Sequence, residues 1–392
     1  MHNIDNNDLE VNLDNYQNET EEHEYIDELS RIDSSDADKL LDVGVDTRET
    51  DRAGTFIQKD KSVIHCKTRF DGVEVMGISQ AAKKHAWLTD YMWKNISPDT
   101  DKFTAQAKEK PHEGYFIRSL PGVKIKHPIQ ACLYIARNNF AQNVHNVVIA
   151  EEGSELHIIT GCATAPHLIS GLHVGVSEFY VKKGAKLIFT MIHEWGEKIK
   201  VRPRTVINVD EGGLIVSNYI SLKPVGSLQM YPTTYLNGKG AVGRFNSILV
   251  AGTGSVLDVG SKIVLNAPDS RAEIISRAIT TGGTIIARGN LIGKVAGIKA
   301  HLECKGLIIN DGLMHAIPEL QGYVPNVEMS HEAAVGKIDQ HEIEYLMARG
   351  LDEDEAISTI VRGFLNVDIE GLPENLKNKL DNIISETQKD MM

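Results

Sequence analysis

The chain has 392 residues, 42% of them apolar and 24% charged, ordinary values for a globular protein. Its net charge of −13 comes from residues 1–50, which hold 16 Asp and Glu against 3 Lys and Arg; the rest of the chain balances at 38 against 38. A body with no basic bias and no Lys/Arg run excludes binding driven by phosphate neutralisation, so no nucleic-acid partner is expected.

No run of 18 apolar residues exists, so no membrane span is expected. The stretch Met1-His2-Asn3-Ile4-Asp5-Asn6 lacks the basic flank and apolar core of a signal peptide. Cys66, Cys132, Cys162 and Cys304 are scattered without a close pair, which fits reduced thiols and a cytoplasmic location.

Residues 1–50, acidic and poor in aromatics, are expected to form a flexible arm with a helical stretch from Tyr25 to Leu41. Residues 51–112 read as an N-terminal helical cap. Within it Ile78, Ala81, Ala82, His85, Leu88, Met92 and Trp93 fall at helical spacing after a Ser79 N-cap, and His85 reads as a helix-face residue.

Residues 113–325 carry a repeat. Gly212, Gly226, Gly240 and Gly254 follow one another at intervals of 14, Gly283 and Gly297 repeat the interval, and Gly312 follows at 15. Between them lie β-branched runs such as Thr284-Ile285-Ile286. A fixed short period is the mark of a solenoid, whose repeats bury their apolar faces by stacking. Strand plus turn fills half of a 28- to 30-residue rung, giving a parallel β-helix with two turns per rung. A glycine-rich β-sandwich is the alternative.

Residues 326–392 read as helical. Asp339 can cap a helix through Met347, and Asp352 with Glu355 has capping-box spacing before Ile357, Ile360, Val361 and Phe364. A further amphipathic helix follows Pro373. Terminal helices of this kind either cap a solenoid or present a docking face.

Several stretches resemble the SufB/SufD family of iron–sulfur cluster assembly scaffolds. They are Gly114-Tyr115-Phe116-Ile117 with Pro121-Gly122-Val123; Cys162-Ala163-Thr164-Ala165-Pro166 with Leu172-His173; and His193-Glu194-Trp195. The C-terminal run is the most specific: Cys304 in the last strands, then Ser330-His331-Glu332-Ala333, then Arg349-Gly350-Leu351 with Ala356. The resemblance covers roughly residues 55–370. It implies a mainly β fold, a right-handed parallel β-helix between helical ends, and a non-enzymatic scaffold.

The resemblance further implies that Cys304 accepts sulfur or holds the nascent cluster, with His331 and Glu332 as iron ligands at a subunit interface. It marks Cys162 and His193 as a sulfur-entry route, although Ala163 and His193 both depart from the family pattern. It implies a transient iron–sulfur cluster, an ABC-type ATPase (SufC) docking on the C-terminal helices, and a sulfur donor protein. The dimer is a homodimer or a SufB/SufD-type heterodimer, and a flavin stays open.

The residues themselves permit duller readings. Cys304 shares one strand face with Ala300 and Leu302, the setting of an ordinary buried thiol. His331 and Glu332 follow a break in the strand pattern just before the helices, where a solvated surface pair is common. His157, His167 and His173 form no metal motif, and no context supports Cys66 or Cys132.

No Gly-Lys is followed by Ser or Thr, so there is no P-loop, and there is no Gly-x-Ser-x-Gly elbow. A β-helix polysaccharide lyase or hydrolase is the enzymatic rival, opposed by the scarcity of aromatics for sugar stacking. A purely structural solenoid is the third, opposed by the helical ends.

Overall fold

A computed structural model describes residues 9–309 and 311–365. It is a mainly β molecule, a parallel β-solenoid of about eight turns with helices at both ends. Two sheets face each other, one of ten strands and one of eleven. The ten-stranded sheet, called here the front sheet, runs from the N-terminal hairpin (Gly54–Lys59 with Ser62–Thr68) to the final strand Glu328–Gly336.

Successive rungs of the front sheet pair Leu187 with Ile215, Ile215 with Gly243, Gly243 with Ala272, Ala272 with Ala300, and Ala300 with Met329. Each step is 28 or 29 residues, as the glycine interval requires. The glycines act by two routes. Gly212, Gly240, Gly254 and Gly297 stand at positive φ, which a residue without Cβ adopts at no steric cost. Gly283 and Gly312 do not; a Cβ there would lie 2.4 Å from the Gly252 carbonyl oxygen or 2.1 Å from Thr280 Oγ1.

Inward residues of both sheets form one long apolar core, from Phe56 to Met314. A second apolar layer lies on the outer face of the front sheet, with Ile159, Ile192, Ile220, Ile248 and Ile279 along it. Each fully buried aliphatic side chain contributes about 1.5–3 kcal/mol.

That outer layer changes the reading of both termini. Residues 9–50, expected as a flexible arm, pack instead: Leu29, Leu40, Val43 and Val45 are buried in the layer. The helix of this segment is Ser34–Asp42, shorter than anticipated, and Val43 sits so close that a Cβ on Gly161 would lie 2.7 Å from its carbonyl oxygen. At the other end Val361 and Leu365 of the helix Glu353–Leu365 cover the same layer.

Residues 51–112 open with three strands before any helix, Gly54–Lys59, Ser62–Thr68 and Val73–Gly77. The expected helix to Trp93 is broken into Ile78–Lys84 and a 3-10 turn Ala86–Asp90, because His85 takes an extended conformation. Gly77, not Ser79, is its N-cap, and His85 Nε2 lies 3.0 Å from Glu74 Oε1. Asp339 caps Gln340–Met347 through the His341 N–H at 2.9 Å. Asp352 and Glu355 exchange backbone N–H bonds at 2.8 and 3.0 Å, as their spacing predicts. The helix expected after Pro373 lies outside the described residues. No helix among the described residues is long and apolar enough to cross a membrane.

Candidate functional site

The strand Lys299–Ile308 alternates as its sequence predicts, with Ala300, Leu302 and Cys304 turned into the core and His301, Glu303 and Lys305 outward. Cys304 is fully buried, and burial pushes its thiol up to about 11. At neutral pH it is therefore a protonated, unreactive thiol until its surroundings change.

His331 and Glu332 lie inside the strand Glu328–Gly336, not in a loop before the helices. This strand shows no apolar alternation because it is the exposed edge of the front sheet; every residue from Ser330 to Gly336 is exposed. It pairs with the Cys304 strand, matching Leu302 with His331, Glu303 with Glu332 and Cys304 with Ala333. Parity then separates the two candidate iron ligands. His331 shares the core-side face with Cys304, one diagonal step or on the order of 8 Å away between Cα atoms. Glu332 takes the opposite face.

There Glu332 belongs to an ion-pair network that sequence reasoning did not find. Lys305 reaches Glu332 at 3.1 Å and Glu303 at 3.2 Å, and Arg277 also pairs with Glu303. Burial opposes ionisation of Glu303, but Lys305 and Arg277 hold its carboxyl below the usual range. Among the described residues no group of three His, Cys, Asp or Glu side chains could hold a metal ion. One chain in this conformation brings Cys304 and His331 to a common face and leaves Glu332 outside.

Cys162 and His193 face each other across neighbouring rungs in strict register. Both are buried, and burial pushes the Cys162 thiol up and the His193 imidazole well down, so both are neutral. His193 Nδ1 lies 2.8 Å from the Tyr219 hydroxyl. The rings of His173 and Trp195 complete the cluster, 5.0 Å apart, with burial lowering His173 to about 3. His173 is fixed by Gln142 Oε1 at 3.0 Å from its Nδ1.

From this cluster one column of the front sheet runs to the edge. Tyr219 pairs with Ser247, Ser247 with Ser276, and Ser276 with Cys304. The two serine oxygens are 2.9 Å apart. A narrow cavity of about 40 Å³ lies beside them, lined by Met191, Tyr219, Ser247 and Ser276 among others. The column is a file of polar groups on the inner face of the sheet, running from the Cys162 cluster to Cys304. At about 4.8 Å per strand, three steps span about 14 Å.

The family model "SUF system FeS cluster assembly, SufBD core domain" matches residues 133–364. The chain belongs to the SufBD family. It is 52% identical over 358 residues to an iron–sulfur cluster assembly SufBD family protein of Archaeoglobus fulgidus, covering 91% of this chain and 96% of that one. A SufBD family protein of Methanothermobacter thermautotrophicus is 48% identical over 379 residues, covering 95% and 92%. The iron–sulfur cluster assembly protein SufB of Bacillus subtilis is 30% identical over 344 residues, covering 85% and 73%. The SufBD core match takes in both cysteine sites and the edge strand.

Proposed function

We propose that this SufBD protein is the scaffold subunit of a SUF-type assembly complex, taking sulfur and iron as cargo at the edge of its front sheet. The observation that carries this reading is Cys304, buried one strand inside an exposed edge that bears His331 and that no other described strand pairs. An open strand edge is a template for pairing with a second chain. A two-fold partner would set its own edge against this one and bring a second His331 and Glu332 to the seam. A homodimer, or a heterodimer with a related chain, then supplies the ligand count that one chain lacks.

The role of Cys304 is to hold sulfur as persulfide or cluster ligand, with His331 and Glu332 as iron ligands. Glu332 can join only if the edge strand shifts and Lys305 releases it, because strand parity sets it on the opposite face. An ATPase docking on the C-terminal helices is the natural source of that change. Helix Gln340–Met347 offers it an exposed surface, with Tyr345 and Met347 open to solvent and the Arg349 guanidinium 4.5 Å from the Tyr345 ring centre. The Tyr219–Ser247–Ser276 file supports a sulfur route from Cys162 and His193 to Cys304. The chain acts without catalytic machinery of its own.

Anaerobic reconstitution with iron and sulfide, in complex with the cognate ATPase, tests the reading. Wild type is expected to take up both, and Cys304→Ser and His331→Ala to lose at least tenfold in bound iron. Equal uptake by all three would move the site elsewhere.

A further inference from the structure

The stretch Lys198-Ile199-Lys200-Val201-Arg202-Pro203-Arg204 places a cation at every second position and holds no acid. Ile199 and Val201, in the eleven-stranded sheet, belong to the core, so Lys200, Arg202 and Arg204 share the outer face. The start of helix Lys102–Glu109 meets them there. The Arg202 and Arg204 guanidinium carbons lie 5.9 and 5.2 Å from the centre of the Phe103 ring.

Three consecutive backbone carbonyls of the N-terminal segment fill this cleft. Leu9 O accepts from Arg202 at 2.7 Å, Glu10 O from Lys200 at 2.9 Å and Val11 O from Lys102 at 2.6 Å. The Val11 side chain is buried in one apolar cluster with Phe103, Leu172 and Val174.

The charge in this cleft is poorly matched. Arg202 is fully buried, yet its hydrogen bonds go to neutral oxygens: the carbonyls of Leu9, Val201 and Ser227 and the Ser227 hydroxyl. Its Nε has no partner among the described residues, and Asp258, whose field reaches it, is already paired with Arg288. Burial, and then the like charge of Arg204, lower Arg202 to about 10, so it stays a cation at neutral pH. A fully buried charge is costly unless a counter-charge meets it. Carbonyl dipoles supply less than a carboxylate would, because hydrogen bonds between ions are the stronger ones.

We propose that Lys102, Lys200, Arg202 and Arg204 form a docking cleft for an acidic peptide segment of a partner protein, which residues 9–11 of this chain fill in the partner's absence. The grip on successive main-chain carbonyls fits a peptide rather than a free anion. The seat of Val11 takes an apolar side chain, and the cations around it take carboxylates. The resident Leu9-Glu10-Val11 meets that pattern only in part, since the Glu10 side chain is exposed. This inference goes beyond the scaffold reading, which stands whatever its outcome.

The test is fluorescence anisotropy of a labelled peptide of residues 8–17 added to the full chain. A second peptide, with Asp8→Asn, Glu10→Gln and Asp14→Asn, removes its acids. The Val11→Asp chain, which unseats its own segment, should bind the acidic peptide about tenfold tighter than wild type and the neutralised one about tenfold weaker. Lys102→Ala and Lys200→Ala, at exposed and half-buried positions, should weaken the acidic peptide. In the chain without peptide they should also speed amide exchange at Tyr16 and Gln17 about tenfold. Circular dichroism confirms each variant's fold. Equal affinity for the two peptides overturns the proposal, and so does displacement of the acidic peptide by an equal concentration of inorganic tripolyphosphate. If Val11→Asp does not fold, the lysine variants decide, and unchanged exchange in both of them overturns it.

Discussion

The two ends of the solenoid solve the same problem in opposite ways. At the N-terminal end the edge strand Ser62–Thr68 is covered by residues 23–26: the Ile26 N–H donates to the Ile64 carbonyl at 2.7 Å, and the Tyr25 hydroxyl to the Cys66 carbonyl at 3.0 Å. Buried charges lock this end down. Glu178, fully buried, accepts the backbone N–H groups of Trp93, Lys94 and Asn95 at 2.5, 2.8 and 2.7 Å and bonds His145 at 2.8 Å. At the C-terminal end the strand Glu328–Gly336 is exposed from Ser330 onward, and its charges form a partly open surface network. Among the described residues one edge is capped and the other has no cover, which is why the proposed partner is set against the second.

The largest effect is expected where the capped end is broken. Glu178→Ala strands three backbone donors and the His145 nitrogen in a buried site, each costing about 1–3 kcal/mol. A loss of about 4 kcal/mol in urea unfolding is expected. A loss under about 1 kcal/mol would show that the segment around Trp93 is held by packing alone.

The interior imidazoles give the next largest effect, through pH. Burial holds His173 at about 3 and His193 in the same direction, against an ordinary value of 6.5. Below pH 6.5 the unfolded chain binds protons that the folded chain refuses, so stability present above 6.5 is lost as pH falls. Each site contributes a slope of up to about 1.4 kcal/mol per pH unit, or about 2 kcal/mol between pH 6.5 and 5. His173→Gln should flatten that limb by one site's share; an unchanged slope would mean that the imidazole protonates in the folded state.

How far the sequence reaches follows the same contrast. The solenoid was legible because corner glycines must recur wherever the chain turns, and the 28- and 29-residue register repeats their interval. The front-sheet column was legible in principle: Tyr219, Ser247, Ser276 and Cys304 stand 28, 29 and 28 apart, which is the rung length itself. The packed arm was hidden, because its buried apolar side chains (Val11, Leu29, Leu40, Val43 and Val45) are outnumbered by acids, and composition averages over them. The strand bearing His331 was hidden for the reverse reason: an edge with no cover has no buried face to imprint alternation. Parity, which sets Glu332 on the far side from Cys304, becomes readable only once that strand is known.

At the open end, association and stability should separate. Val335 is 41% exposed on the edge strand, so Val335→Glu should change folding by less than about 0.5 kcal/mol. A dimer that pairs these edges should weaken at least tenfold, about 1.4 kcal/mol, in sedimentation at several concentrations. Intact dimers in the variant would place the interface on another surface.

The smallest effect belongs to the ion pairs that Lys305 makes with Glu332 and Glu303 on the outer face. Lys305→Ala removes contacts to Glu332 and Glu303, but Lys305 is 32% exposed and Glu332 57%, so solvent screening limits the loss to about 0.5–1 kcal/mol. The sign with pH is fixed by Glu303. Burial opposes its ionised form and the two cations outweigh that, so its folded value lies below the ordinary 4.5. The stabilisation is therefore full above the ordinary carboxylate range and disappears as pH falls through the folded value. A wild-type advantage over Lys305→Ala that survives into strong acid would mean that the lysine acts through packing of its stem. In reconstitution the same variant should speed iron uptake, since Glu332 no longer has to leave Lys305; slower uptake would mean that Lys305 itself guides the cargo.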